Sequence, residues 1–258
     1  MNEFLLFLCV GAIAQAVDGA LGMAYGVISS TVLLSFGVPP ATASASVHAA
    51  EVFTTAASAG SHAMNRNVNW KLFAPLAIGG CMGGALGAFV LTSIDGKVLK
   101  PYIAGYLALM GLVILYRAWK GRAIRPFPAR FSGPLGAVGG FLDAVGGGGW
   151  GPTVTSAMVG SGAEPRISIG TTNTAEFFVT ATISATFLAA LISGHWADET
   201  GLKSHMAAVG GLILGGLLAA PLAGFMVRVI PVRALTWAVG ALVLGLAGYQ
   251  AARLFGVI

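Results

Sequence analysis

Only nine carboxylates occur in 258 residues, and four of them, Asp18, Glu51, Asp143 and Glu176, stand in apolar sequence. They form two matched pairs. Sliding residues 11–59 onto 136–184, an ungapped offset of 125, superposes Asp18 on Asp143 and Glu51 on Glu176. The same shift aligns Gly11/Gly136, Gly22/Gly147, Gly26/Gly151, Gly37/Gly162, Pro40/Pro165, Phe53/Phe178 and Thr55/Thr180. With Ala12, Ala50 and Ala56 also matched, twelve of 49 positions are identical, against roughly a tenth expected from so Ala- and Gly-rich a composition. A charge in hydrocarbon costs about 2.5–3.5 kcal/mol on insertion scales, so four unpaired ones would cost on the order of 10 kcal/mol. Carboxylates held in duplicate at that cost point to function, and three kinds of chemistry are open to them. Asp18 and Asp143 can accept hydrogen bonds from adjacent backbone and hold it in shape. Glu51 and Glu176 can carry protons that exchange as a substrate moves. All four can coordinate a cation, either cargo or a coupling ion such as Na⁺.

The elements that position these groups are unusual in the same places of both copies. Asp18-Gly-Ala-Leu-Gly22-Met-Ala-Tyr25-Gly26 interrupts one apolar segment, and Asp143-Ala-Val-Gly-Gly-Gly-Gly-Trp150-Gly151-Pro152 interrupts its counterpart. Each glycine costs a helix interior about 1 kcal/mol and proline more, so 146–152 is not expected to be regular helix. Interrupted segments at corresponding places in two halves mark binding sites in duplicated permeases. Where each helix restarts, free N–H groups and the positive end of the helix dipole would face the gap and suit a small anion. The backbone at Gly22, Gly26, Gly147, Gly148, Gly149 and Gly151 would approach that anion, with hydroxyls from Ser29, Ser30, Thr153 and Thr155. Tyr25 and Trp150 align across the repeat and can wall the site or simply pack.

Each break is followed by a weakly hydrophobic helix. Segment 41–64 carries Ser44, Ser46, His48, Glu51, Thr54, Thr55 and Ser58 on a face too polar for lipid. His48 and Glu51 are three apart and share that face. The second copy has Thr171, Asn173, Glu176 and Thr180 at the same spacing. His48 and Asn173 would add nitrogen donors to the site.

Composition sets the solvent. The chain is 56% hydrophobic and 9% charged, with mean hydropathy +0.84, where a soluble domain has about 25% charged residues. Five segments, Leu72–Leu91, Val98–Trp119, Ile167–Leu191, Met206–Val227 and Ala234–Leu254, are long enough to cross about 30 Å of hydrocarbon. A single helix through 3–36 would be roughly 50 Å long, so a re-entrant pair of half-helices is expected there and in its copy. Each half then crosses an odd number of times, and the halves are inverted. With the basic stretch around Arg117, Lys120, Arg122, Arg125 and Arg130 on the cytoplasmic side, ten of fourteen Lys and Arg lie inside; eight simple crossings would place nine there. The expected architecture is all-α and polytopic: repeat one at 1–119, a basic cytoplasmic loop at 120–132 and repeat two at 133–258. Small residues at helical spacing (Gly79, Gly83, Gly87; Gly211, Gly215) read as close helix packing.

Other functions have little to stand on. The net charge of +5 comes without a basic face interleaved with aromatics, so nucleic acid is excluded. Cys9 and Cys81 are alone in apolar runs and read as buried, inert thiols. His48-x-x-Glu51 resembles half of a metal site, but the second copy has Asn173 and no further His converges, so neither metal nor cofactor is expected. Gly146–Gly149 lacks the GK[ST] of a nucleotide loop. G-x-S-x-G and HExxH are absent, so no enzyme is expected, with an intramembrane hydrolase as the outside reading. His62, His195 and His205 fall near segment ends, where solvated positions are usual. Glu3 stands where a signal peptide would be basic, so cleavage near Ala14-Gln15-Ala16 is not expected.

Three stretches together resemble the TauE/SafE sulfite-exporter-like family, also called the 4-toluenesulfonate uptake permeases: GGFLDAVGGGGWGP (139–152), PRISIGTTNTAEFF (165–178), and RNVNWKL (66–72) before GGCMGGALGA (79–88). The resemblance runs over nearly the whole chain. It implies a duplicated, multi-pass permease of the bacterial inner membrane that moves a sulfur-containing anion such as sulfite, a sulfonate or thiosulfate. Gly147, Gly148, Gly149, Gly151 and Pro152 match the family's glycine motif, whereas LGMAYGV (21–27) keeps Gly22 and Gly26 without the glycine run or the proline. The partners implied are a small anion and the lipid bilayer, with a homo-oligomer left open. The competing reading is a cation permease that uses the four carboxylates directly.

Overall fold

The computed structural model describes residues 3–21, 23–119, 127–161, 163–196, 206–229 and 232–256, and among these every regular element is helical. The first apolar segment is broken, as its length demands: α1 (Glu3–Leu21) ends before α2 (Tyr25–Ser35) begins. The third to fifth helices are α3 (Pro40–Met64), α4 (Trp70–Ser93) and α5 (Gly96–Trp119). The second half repeats this order. After a short 3-10 turn at Ala129–Phe131, α6 (Ser132–Gly146) stops at the glycine run. The chain restarts as one wide π-type turn, Gly151–Thr155, that runs into α7 (Ser156–Gly160). Next come α8 (Pro165–Ile192), α9 (Met206–Val229) and α10 (Val232–Leu254).

Local chemistry explains the boundaries. Pro40 and Pro165, a repeat-matched pair, open α3 and α8 at the first helical position, where the missing N–H costs nothing. The Asn69 side chain accepts from the Lys71 N–H at 3.1 Å and caps α4. Gly147, in the left-handed region at φ 68°, ψ 35°, terminates α6, and Gly148 follows at φ 150°. The first half keeps the glycine opposite Gly147, as Gly22, but has Met23 and Ala24 opposite Gly148 and Gly149. There Ala24, which aligns with Gly149, takes φ 123°, a conformation an L-residue with a Cβ rarely adopts.

Helices of the first half pack chiefly on helices of the second. α1 lies along α9 and α6 along α4; α3 meets both α8 and α9, α4 meets α8, and α5 meets α10. Matched by order in the two halves, the α1–α9 contact corresponds to α6–α4 and the α3–α9 contact to α8–α4. Small residues permit the close crossings: a Cβ on Gly79, Gly83 or Gly87 would strike the backbone of Gly133, Ala137 or Phe141 on α6, and one on Gly211 would lie 2.7 Å from the Phe4 carbonyl oxygen on α1. The glycine stripes are packing surfaces.

Sidedness is inside-out relative to a protein folded in water. Ile78, Met82, Leu86 and Phe89 of α4 and Tyr102, Leu109, Leu112 and Tyr116 of α5 face outward, while Asp, Glu, His, Ser and Thr fill the centre. Hydrocarbon solvent selects that distribution. Two described helices, Trp70–Ser93 and Arg166–Ile192, are long and apolar enough to cross a membrane on their own. The other three expected spans are each a single helix, α5, α9 and α10. Cys9 departs from expectation. It is exposed, one turn from the exposed Leu5 and Ile13 on the outer face of α1, and Cys81 is half-buried. Lys120, Arg122 and Arg125 of the basic loop, with His205, lie outside the described residues, as do Asp198 and Glu199.

Candidate functional site

The two breaks meet. A Cβ on Gly26 would lie 2.5 Å from Gly148 Cα, 3.1 Å from the Gly147 carbonyl oxygen and 2.7 Å from Glu51 Oε1. A Cβ on Gly147 would lie 2.9 Å from Ser30 Cβ and 3.4 Å from Ser44 Cα. Backbone of one half therefore touches backbone of the other at the point where both helices are interrupted, with α3 alongside. Gly22 lies outside the described residues.

At each restart an aspartate from the preceding helix receives the first backbone N–H. Asp143 Oδ1 accepts from the Trp150 N–H at 2.9 Å, and Asp18 Oδ1 accepts from the Tyr25 N–H at 3.4 Å. The two bonds are related by the repeat, residue for residue, and each spans seven positions. The restart thus carries its own anion at the positive helix end, and the N–H groups of Tyr25 and Trp150 are not free, contrary to the expectation from sequence. The rings that follow are anchored. Tyr25 Oη donates to the Leu212 carbonyl of α9 at 2.9 Å, and Trp150 Nε1 donates to the Thr172 carbonyl of α8 at 3.1 Å. Both rings are buried, and Trp150 also packs against Gly80 of α4.

The polar faces of α3 and α8 turn inward. Thr42, Ser44, Ser46, His48, Glu51, Thr54 and Thr55 are buried on α3, and Thr171, Thr172, Asn173, Glu176 and Thr180 on α8. His48 Nδ1 lies 2.7 Å from the Ser44 carbonyl oxygen, and its Nε2 lies 3.3 Å from Asp143 Oδ2, in the other half. The same nitrogen is 4.0 Å from Glu51 Oε2. Glu176 lies within electrostatic reach of Asp18, Glu51 and Asp143, so the four carboxylates share one neighbourhood. Among the described residues no Lys or Arg is buried there to balance them.

Several hydroxyls expected to bind ligand are engaged with protein. Thr155 Oγ1 pairs with Thr172 Oγ1 at 2.8 Å, Ser30 Oγ donates to the Val27 carbonyl at 3.3 Å, and Thr153 Oγ1 lies 3.9 Å from Met110 Sδ. Asn173 Nδ2 donates to Ser58 Oγ at 3.2 Å, whereas its Oδ1, like Ser29 Oγ, is buried without a partner. The second half therefore lacks the counterpart of the His48–Asp143 contact in this conformation. One residue was missed by sequence reasoning. The Tyr106 ring of α5 presses on Gly146 and Gly149, and its hydroxyl is buried beside Thr153. The only sequence signal was a phenol inside an apolar helix, whose O–H needs a partner once buried.

The arrangement holds two interrupted helix ends, four carboxylates and one imidazole in a water-poor centre between the halves. Such a centre can bind a small ion and expose it alternately if the halves shift. A family model described as "Sulfite exporter TauE/SafE" matches residues 7–250. Among curated proteins, "Probable membrane transporter protein YtnM" of Bacillus subtilis (strain 168) is 42% identical over 235 residues, which covers 88% of this chain and 76% of that protein. No solved structure matches.

Proposed function

The chain belongs to the sulfite exporter TauE/SafE family of membrane transporters, and on that premise we propose that it carries a small sulfur-containing oxyanion, such as sulfite or a sulfonate, across the bacterial inner membrane. The observation that carries this reading is the backbone contact between the two breaks, Gly26 against Gly147 and Gly148. Unwound backbone inside a membrane persists only where protein or a water cavity satisfies it, and here two such stretches face each other. The N–H groups of Gly26, Val27 and Gly151, one residue or two beyond the aspartate caps, are the donors for the anion. The halves are inverted, α1–α2 and α6–α7 are re-entrant, and the remaining long helices cross the bilayer.

Charge balance decides what travels with the anion. Four buried carboxylates and no buried Lys or Arg among the described residues leave an oxyanion no net attraction unless cations enter with it. Protons supply them, and Glu176, with acidic neighbours in Asp18, Glu51 and Asp143, is the exchanging group. The same excess of carboxylate favours the second reading, a cation permease. Flux in proteoliposomes separates the two. An anion carrier takes up labelled sulfite or a sulfonate, responds to an imposed proton gradient, and loses flux when Gly147 or Gly151 is enlarged. A cation carrier ignores those anions and loses cation flux in the Glu51→Gln, Glu176→Gln double variant. Absence of sulfite and sulfonate flux in active, oriented vesicles would sink the anion assignment.

A further inference from the structure

The repeat is broken at one chemically informative position, where the first half has His48 and the second has Asn173. His48 Nδ1 lies 2.7 Å from the Ser44 carbonyl oxygen. A carbonyl only accepts, so Nδ1 carries a hydrogen and Nε2 of the neutral ring holds a lone pair. That lone pair faces Asp143 Oδ2 at 3.3 Å and Glu51 Oε2 at 4.0 Å. The three ligand-type atoms lie within 4.8 Å of one another and all three side chains are buried. Glu51 Oε2 has no hydrogen-bond partner.

Three facing electron-rich atoms need a positive charge among them. A proton shared between Nε2 and Oδ2 in a charge-assisted bond would draw the pair to about 2.7–2.9 Å, shorter than the 3.3 Å found. Ligands held at about 2.0–2.2 Å in a tetrahedral zinc-type site stand about 3.3–3.6 Å apart. The His48–Asp143 edge already has that length, and Glu51, 4.0 Å from Nε2 in a triad spanning 4.8 Å, completes the triangle by a side-chain movement of about 1–1.5 Å. The Nδ1–H bond to a backbone carbonyl is also the usual outer support of a metal-binding histidine.

We propose that His48 Nε2, Glu51 Oε2 and Asp143 Oδ2 bind a divalent transition-metal ion of the Zn²⁺ class. The site joins the two halves, and Asn173 removes its counterpart in the second. Two carboxylates neutralise the ion and three protein ligands leave a position open, which suits an oxyanion. That last role rests on the function proposed above; the metal site itself does not. Proton exchange then belongs to Glu176, outside the triad.

The full chain in detergent, given Co²⁺ alone, reports the site through visible d–d absorption and through metal retained after desalting. The expected result is stoichiometric cobalt with the intense bands of four-coordinate geometry, displaced by Zn²⁺. His48→Asn installs the residue of the second half, and Asp143→Asn keeps an acceptor for the Trp150 N–H. Each should weaken cobalt binding by at least about 10–100-fold, the cost of losing even an outer partner. Gly60→Ala, with open space around it, should leave it unchanged. Wild-type protein that retains no cobalt, or His48→Asn protein that binds as tightly as wild type, overturns the proposal. If His48→Asn is not monodisperse, undiminished cobalt binding by Asp143→Asn and Glu51→Gln overturns it instead. The cobalt readout is independent of the proteoliposome flux assay, so absence of cobalt with anion flux intact removes the metal alone, and cobalt bound without anion flux removes the anion alone.

Discussion

Replacing each capping aspartate by alanine should expose an inequality that the repeat itself hides. Asp143→Ala removes the acceptor that the Trp150 N–H reaches at 2.9 Å and the oxygen that faces His48 at 3.3 Å. The peptide is buried against Trp150, so its N–H has no water to turn to. A buried donor left without a partner costs about 1–3 kcal/mol. Asp18→Ala removes an acceptor at 3.4 Å, close to the length where a contact stops being a hydrogen bond, so its cost should be about 0.5–1 kcal/mol. The two variants then differ by about 1–2 kcal/mol. At about 2–4 °C per kcal/mol for a chain of this size, Asp143→Ala should melt about 2–8 °C below Asp18→Ala. Intrinsic tryptophan fluorescence during a thermal ramp, on protein purified with lipid, measures both. Asp143→Asn, which retains one acceptor oxygen, should fall between Asp143→Ala and wild type. Equal shifts, or a larger loss for Asp18→Ala, would refute the reasoning that the second break is the more tightly held.

Other consequences of the same geometry can be tested in parallel. Gly26→Ala places a Cβ 2.5 Å from Gly148 Cα, and should cost about 1–3 kcal/mol of overpacking and most of the transport activity; Gly60→Ala, with open space around it, should cost neither, and the comparison is read by melting and flux together. Ala24→Gly relieves φ 123° and should raise stability by up to about 1 kcal/mol after the added chain entropy, seen as a higher melting temperature. Tyr25→Phe deletes one anchoring bond, to Leu212, and should lose about 0.5–1.5 kcal/mol in the same assay; Trp150→Phe deletes the bond to Thr172 and also empties part of a fully buried indole site, and should lose more, about 2–4 kcal/mol.

The breaks were legible because glycine and proline act locally. Gly147 and Gly148 hold positive φ, a preference that glycine carries wherever it stands, and the apolar stretch at 3–36 exceeds one crossing. The polar faces of α3 and α8 were legible for a similar reason, since Ser44, His48 and Glu51 fall on one side of any helix through them. The aspartates needed more. Backbone capping was one of two roles open to them, beside cation coordination, and it takes the meeting of Asp143 Oδ1 with the Trp150 N–H, and of Asp18 Oδ1 with that of Tyr25, to show that they cap. Cys9 was misread because burial depends on which face of α1 meets α9, a matter of packing rather than of hydropathy.

By itself the sequence determined the solvent, the duplication, the two interruptions and the helices that flank them, because hydropathy, repeat identity and backbone preference are properties of neighbouring residues. Tertiary structure decided who meets whom. Nothing in the spacing of His48 says that its ring reaches Asp143, 95 residues away in the other copy, or that Tyr106 covers the glycine run. Those meetings follow from close crossings of α1 on α9 and α4 on α6, where helices approach only because glycine leaves room for backbone against backbone. The chemistry at the centre is thus set by how two similar halves interlock, and interlocking is a long-range packing solution that no single stretch of chain encodes.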